Sequence, residues 1–183
     1  MKEPQVTGSM KGKHSPKPAP LSKGDKKVVV AVSGGFDPLH IGHVRLLNEA
    51  KKLGDTLVVI LNNDNWLMQK KGFVFMPEQD RKEILESLAS VERVVITGHG
   101  KNDTDRSVRR ELKKLRPHIF ANGGDRDRRD AKRKASSFNP EALLCRELGI
   151  KLVFNVGGGG KVRSSSELAT RFLKAKKPYI LRK

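Results

Sequence analysis

The sequence predicts an α/β fold: one doubly wound, Rossmann-like parallel sheet of five strands with helices on both faces. Three observations predict it. Short β-branched apolar runs alternate with stretches of helical spacing. The runs have the length and composition of strands buried on both faces. A Gly-Gly turn stands between the first run and the first helix, where sheets of this type turn backbone toward a ligand. Alternation of this kind gives right-handed crossovers between parallel strands.

The elements follow in order. Lys27 to Ser33 (KVVVAVS) is the first strand, broken by Gly34 and Gly35. Val44 to Leu53 has helical spacing, with Val44, Leu47 and Ala50 on one face and Gly54 as a C-cap. Leu57 to Leu61 (LVVIL) is the second strand, followed by a polar loop. Pro77 to Leu88 reads as a helix with Pro in its first turn and early acids. Val91 to Ile96 is the third strand, and Asp103 to Leu115 a basic amphipathic helix capped by Asp103 or Thr104. Pro117 to Ala121 is the fourth strand. Pro140 to Leu148 is a helix between Asn139 and Gly149, Ile150 to Asn155 the fifth strand, and Ser164 to Lys174 the last helix.

The 183 residues carry 38 Lys and Arg against 20 Asp and Glu, a formal charge of +18 that favours polyanionic partners. Residues 1–26 read as a disordered basic tail, 27–174 as the folded domain and 175–183 as a second basic tail. No apolar run approaches the ~20 residues of a membrane helix. The N-terminus has charge without an apolar stretch behind it, unlike a secretory signal. A single cysteine, Cys145, excludes an internal disulfide framework and a Cys-based zinc site. The expectation is a soluble, cytoplasmic protein without a membrane partner. One Trp and one Tyr leave little of the stacking half of a nucleic-acid surface.

The loop after the first strand reads Ser33-Gly34-Gly35-Phe36-Asp37-Pro38-Leu39-His40-Ile41-Gly42-His43. Its glycines let backbone approach a ligand and deliver it to a helix N-terminus, where free N–H groups and the dipole favour phosphate. His40 and His43, three apart, fall on one side of that helix end. Two imidazole donors there suit a phosphate whose negative charge rises during reaction. Ordinary capping would explain one histidine, not the pair with its Gly-Gly turn. No Cys/His or Ser/His/Asp arrangement stands out, and Cys145 reads as core.

The stretch Gly34 to His43 (GGFDPLHIGH) resembles the signature of the cytidylyltransferase-like nucleotidyltransferases. The resemblance continues through Asp55–Asp64, Glu78–Arg81, Gly123-Gly124-Asp125 and Ser164-Ser165-Ser166, and covers Val28 to about Leu173. Glycerol-3-phosphate cytidylyltransferase and heptose-phosphate adenylyltransferase look most alike. The resemblance implies the HIGH-type nucleotidyltransferase fold and transfer of a nucleoside monophosphate from CTP or ATP to a small phosphorylated polyol or sugar. Pyrophosphate leaves, no covalent intermediate forms, and Mg2+ rides mainly on the nucleotide phosphates.

The same resemblance assigns roles. His40 and His43 would contact the triphosphate and stabilise the transition state. Gly34, Gly35 and Phe36 would line the nucleotide site, with Asp37 bracing the loop. Lys70 or Lys71 would reach the reacting phosphates, and Arg81 would bind the acceptor phosphate or the triphosphate. For the lysines a solvated loop charge is the competing reading, and for Arg81 a surface helix position. Asn122, Gly124 and Asp125 would contact the nucleotide, and Ser164, Ser165 and Ser166 would hold its outer phosphates. Trp66 is read as packing, and His99 and His118 have no partner by spacing.

Two stretches depart from the pattern. Gly157 to Gly160 stand where the glycerol-phosphate relatives carry an arginine, leaving Lys161 and Arg163 as the nearest cations. Arg126 to Lys134 is a basic segment that offers either a lid over an anionic acceptor or a solvated insertion. Relatives of the fold form homodimers, and spacing identifies no face for one here. Two competing readings remain at this point. An amino-acid-activating fragment shares the HIGH tetrad, but the chain is too short for one. A basic nucleic-acid-binding module without catalysis would not require both histidines.

Overall fold

A computed structural model of the chain describes residues 27–123 and 138–157, together with Lys132, Ser165, Glu167, Leu168 and Arg171. The two predicted tails, and all of the segment 126–134 except Lys132, lie outside the described residues.

Five strands form one parallel sheet: β1 (Val29–Gly34), β2 (Thr56–Leu61), β3 (Arg93–Ile96), β4 (Ile119–Ala121) and β5 (Lys151–Val153). Their order is β3-β2-β1-β4-β5. Val30 pairs with Leu57 on one side and Ile119 on the other. The chain therefore winds outward to β3, returns past β1 and continues to β5. The reversal lies between β1 and β4, and sheets of this kind take their ligands beyond the carboxyl ends of the strands at that point.

The helices are α1 (Ile41–Lys51), α2 (Asp64–Lys71), α3 (Glu78–Glu86), α4 (Arg109–Leu115) and α5 (Asn139–Glu147). Strand alternation divides the core. Val30, Val32, Leu57, Val59 and Leu61 pack with Leu47 and Ala50 of α1 and Leu85 of α3. Ala31, Ile60 and Phe120 pack on the other face with Leu112 of α4 and Ala142 and Cys145 of α5. Burial on both faces is why the central strands read as unbroken apolar runs. Among the described residues, no helix is long and apolar enough to cross a membrane.

Several predicted boundaries shift. The first helix begins at Ile41, so the HIGH tetrad forms its cap and first turn. Gly54 is not its cap: Lys52 is, and a Cβ on Gly54 would stand 2.6 Å from the Val28 carbonyl oxygen. The polar loop after β2 contains α2, capped by the Asn63 side chain on the Trp66 N–H and closed by Gly72 in a left-handed turn. The helix expected from Asp103 starts at Arg109: Asp103 pairs with Arg110, and Asp105 pairs with Arg109 and accepts the Ser107 N–H, so both carboxylates serve the turn that leads into the helix. Asn139 is the first residue of α5, with Phe138 at its cap. The last helix falls mostly outside the described residues, of which Ser165, Glu167, Leu168 and Arg171 are helical.

Candidate active site

The site grows from the turn between β1 and α1. His40 is the N-cap of α1 in extended conformation. Its Nδ1 accepts from the Gly42 N–H at 3.1 Å, and His43 Nδ1 accepts from the His40 N–H at 3.3 Å. This is a capping box built from two imidazoles in place of a hydroxyl and a carboxylate. The hydrogen bonds assign the tautomer: with Nδ1 accepting, each neutral ring carries its proton on Nε2. The rings stack with centroids 3.7 Å apart and planes 17° apart. The buried Phe36 ring meets His43 edge-on at 4.9 Å. A Cβ on Gly42 would stand 3.0 Å from His40 Cε1, so glycine gives the imidazole its seat.

Burial pushes the His43 imidazole down to about 3, and His40 and Lys71 lower it further by their charge. The ring therefore stays a neutral N–H donor at physiological pH. Lys71 donates to the Asp37 carbonyl at 2.7 Å. Its ammonium is lowered by burial, raised by Asp37 and lowered by Arg81. The Asp37 carboxylate, itself buried, accepts from the Phe75 N–H at 2.9 Å and the Met76 N–H at 2.8 Å. Both its oxygens brace the segment after α2.

Lys70 and Lys71 part company. Lys70 lies over the Trp66 ring, 4.5 Å from its centroid, whereas Lys71 turns toward the loop that carries the histidines. Trp66 is buried and donates to the Arg106 carbonyl, as packing predicts.

Arg81 requires a correction. Its side chain is fully buried. Nε donates to the Met76 carbonyl, Nη1 to the Gly35 and Asn62 carbonyls, and Nη2 to Asp64. A guanidinium spent on four acceptors ties three loops together and does not present itself to a phosphate. Arg81 is a positioning residue. Asp64, its carboxylate partner, is a contact the sequence reading missed.

Asn122 is also turned inward. Its amide donates to the Phe120 carbonyl, and its backbone joins β4 to the chain after β5. Ser165 donates its hydroxyl to the Pro38 carbonyl at 3.1 Å, which places this serine beside the first loop and uses that proton. Gly124, Asp125, Ser164 and Ser166, with Lys161 and Arg163, lie outside the described residues.

His99, without a partner by spacing, is buried and holds Thr97 Oγ1 at 2.8 Å and the Ser107 carbonyl at 3.1 Å. Asn63 and Asn65 donate to its carbonyl, so the loop after β3 is fastened to the end of β2. His118 Nδ1 accepts the Val29 N–H at the start of β1.

A FAD synthase of Pyrococcus horikoshii is 40% identical over 116 residues, which are 62% of this chain and 75% of that protein. A bifunctional protein HldE of Streptomyces coelicolor is 39% identical over 145 residues, 78% of this chain but 28% of that protein. A solved lipopolysaccharide core biosynthesis protein from Thermoplasma volcanium superposes with a TM-score of 0.55 at 26% identity, covering 73% of this chain and 100% of its own. The match to the cytidylyltransferase-like family runs over residues 31–145. That span contains the histidine pair, Asp37, Lys71 and Arg81, and the chain belongs to the cytidylyltransferase-like family of nucleotidyltransferases.

Proposed function

We propose that this chain transfers an adenylyl group from ATP to a small phosphorylated acceptor and releases pyrophosphate. The observation that carries the reading is the stacked imidazole pair with both Nδ1 atoms held by backbone N–H groups.

An acceptor phosphate oxygen attacks the α-phosphorus. A new P–O bond forms there, the bond to the bridging oxygen breaks, and pyrophosphate departs with that electron pair. His40 and His43 donate Nε2–H to the phosphate oxygens on which charge collects. Donors fixed beforehand lower the barrier without reorganising during the reaction. Lys71 adds positive charge on the acceptor side of the same loop. No side-chain nucleophile is needed. Cys145 lies in the core with its thiol pushed up to about 12 by burial.

Magnesium fits this donor set as a passenger on the nucleotide. Among the described residues no three His, Cys, Asp or Glu groups cluster as ligands, and Asp37 is spent on backbone. The ion, when bound, supplies charge neutralisation on the phosphate oxygens, which with water would hold it. The choice of ATP over CTP is supported by the FAD synthase relatives, whose named product contains an adenylyl half.

The test is pyrophosphate release with magnesium, each of the four triphosphates being paired with FMN, glycerol 3-phosphate and sugar 1-phosphates. Release with ATP and one acceptor class supports the reading, and silence across every pair with folded protein removes it. His43→Ala is expected to slow turnover about 10²-fold or more, the usual cost of a transition-state donor.

A further inference from the structure

A groove of about 590 Å³ lies between α4 and β3, the strand at one edge of the sheet. Val95 pairs in register with Ile60, so Val95 and Arg93, two residues apart, face the side of the sheet that α4 covers. Val95 and Leu115 give the groove an apolar wall, while Arg93, Arg110, Glu111 and Lys114 bring charge to it. On α4, Arg110 lies four residues before Lys114, and Glu111 four before Leu115, so all of them share one face of the helix. The groove is two strands away from β1, whose turn carries His40 and His43.

The charges in this groove do not satisfy one another. Glu111 is only 8% exposed. Its Oε1 accepts the Gly98 N–H at 3.2 Å, and its Oε2 has no hydrogen-bond partner. Arg110 is committed elsewhere, to both carboxylate oxygens of Asp103. Arg93 and Lys114 are exposed and make no ion pair or side-chain hydrogen bond among the described residues. A buried carboxylate oxygen without a donor costs free energy, yet no cation beside it turns to meet it.

This pattern selects a ligand. With Arg110 neutralised by Asp103, two free cations stand against one carboxylate. They suit the two charges of a phosphate monoester better than the one charge of a carboxylic acid. The same cations repel an ammonium, so the donor that suits Glu111 is a hydroxyl. The wall of Val95 and Leu115 gives carbon atoms between the two polar ends a place out of water.

We propose that this groove is a second ligand site, separate from the transfer site, and that it takes a small phosphate monoester with free hydroxyls. The phosphate lies on Arg93 and Lys114, and a hydroxyl donates to Glu111. A free sugar phosphate and the ribose phosphate of a nucleotide share this chemistry. Binding here requires no turnover, so it stands or falls apart from the adenylyl-transfer reading.

The test is an amide NMR titration of the full chain with ribose 5-phosphate, AMP and inorganic phosphate, followed at Gly98, whose N–H meets Glu111. Both esters are expected to shift the Gly98 signal saturably. Tighter binding of AMP makes the ligand a nucleotide, and tighter binding of ribose 5-phosphate makes it a free sugar phosphate. Arg93→Gln with Lys114→Gln should weaken both esters about tenfold or more, the loss expected of charge-assisted contacts. Lys113→Gln with Arg116→Gln removes two exposed cations that do not line the groove and should change affinity less than about twofold. Glu111→Gln exchanges an acceptor for a donor and removes a negative charge. It should weaken the esters about tenfold while inorganic phosphate binds as well or better. A Gly98 signal that no probe moves overturns the proposal. Equal losses in the two cation pairs do the same, since they would mean general attraction to a basic surface, and these exposed pairs decide the matter even should Glu111→Gln fail to fold. So does a folded Glu111→Gln chain that binds esters and inorganic phosphate alike more tightly, because the carboxylate would then have no role.

Discussion

Arg81 reaches Asp64 at 2.6 Å from inside the fold, its own side chain wholly buried while the Asp64 side chain is 38% exposed. The pair is unequal. Removing Asp64 leaves Arg81 three carbonyls, but removing Arg81 leaves the carbonyls of Gly35, Asn62 and Met76 without their donor. Arg81→Ala is therefore expected to cost about 3 kcal/mol or more. Arg81→Lys should cost nearly as much, because one ammonium cannot span acceptors arranged for a planar fork. Asp64→Asn should cost about 1 kcal/mol or less, since water reaches the carboxylate. Urea unfolding of the three variants checks the order, and a harmless Arg81→Ala would end the positioning role.

His43 sets a pH dependence whose sign follows from its lowered pKa. The free imidazole titrates near 6.5, and the folded one near 3. Between those values the unfolded chain binds a proton that the folded chain refuses. Stability from this residue is complete above about pH 6.5 and is lost as acid approaches pH 3. The difference in stability between pH 7 and pH 4 should thus be smaller in His43→Asn than in the parent. The His43 ring signals in a proton NMR titration should also stay flat from pH 8 to pH 5. A midpoint near 6.5 would contradict the buried, neutral ring.

The fold was legible because β1 and β2 are buried on both faces and the sequence writes that as VVVAV and LVVIL. The turn chemistry of GGFDPLHIGH was legible for the same kind of reason: its glycines and histidines have few other uses at that spacing. Helix α2 was not, because DNWLMQKK buries only Trp66 and Leu67 and carries almost no amphipathic stripe. Its caps were the available signal, Asn63 before it and Gly72 after it. Arg81 was read as a phosphate ligand because the family resemblance places an arginine at that position, and a resemblance does not show where a guanidinium is spent. The observation that corrects it is spacing: Arg81 and Leu85 are four apart on the buried face of α3. The lysine choice needed coordinates, since adjacent helical residues point about 100° apart and only one can face the turn.

His40 has two jobs that a substitution can separate. Its Nδ1 caps the Gly42 N–H, and its Nε2–H is assigned to the triphosphate. Alanine removes both, at a cap cost of about 1 kcal/mol. Asparagine is a good N-cap but places no N–H where Nε2 stands. His40→Asn is expected to keep thermal stability within a few tenths of a kcal/mol of the parent. Its turnover should fall about 10²-fold, as on loss of a transition-state donor. Unfolding and pyrophosphate-release assays on the two variants separate the roles. Equal turnover in parent and His40→Asn would reduce His40 to a cap.

Gly42→Ala tests whether the imidazole geometry itself matters. Alanine favours a helix over glycine by about 1 kcal/mol, so local propensity predicts a more stable chain. The new Cβ, however, would lie 3.0 Å from His40 Cε1 and 3.1 Å from Nδ1. The ring must give by a few tenths of an ångström, which loosens its bond to the residue 42 N–H and its stack on His43. The two effects offset in stability, so the unfolding midpoint should move little. They do not offset in catalysis, because a displaced donor no longer meets the oxygen on which charge develops. Turnover is expected to fall about tenfold or more with KM for ATP changed less, the pattern of an interaction made mainly in the transition state. A fully active Gly42→Ala enzyme would mean that the imidazole pair tolerates misplacement, and that the rate comes from elsewhere in the loop.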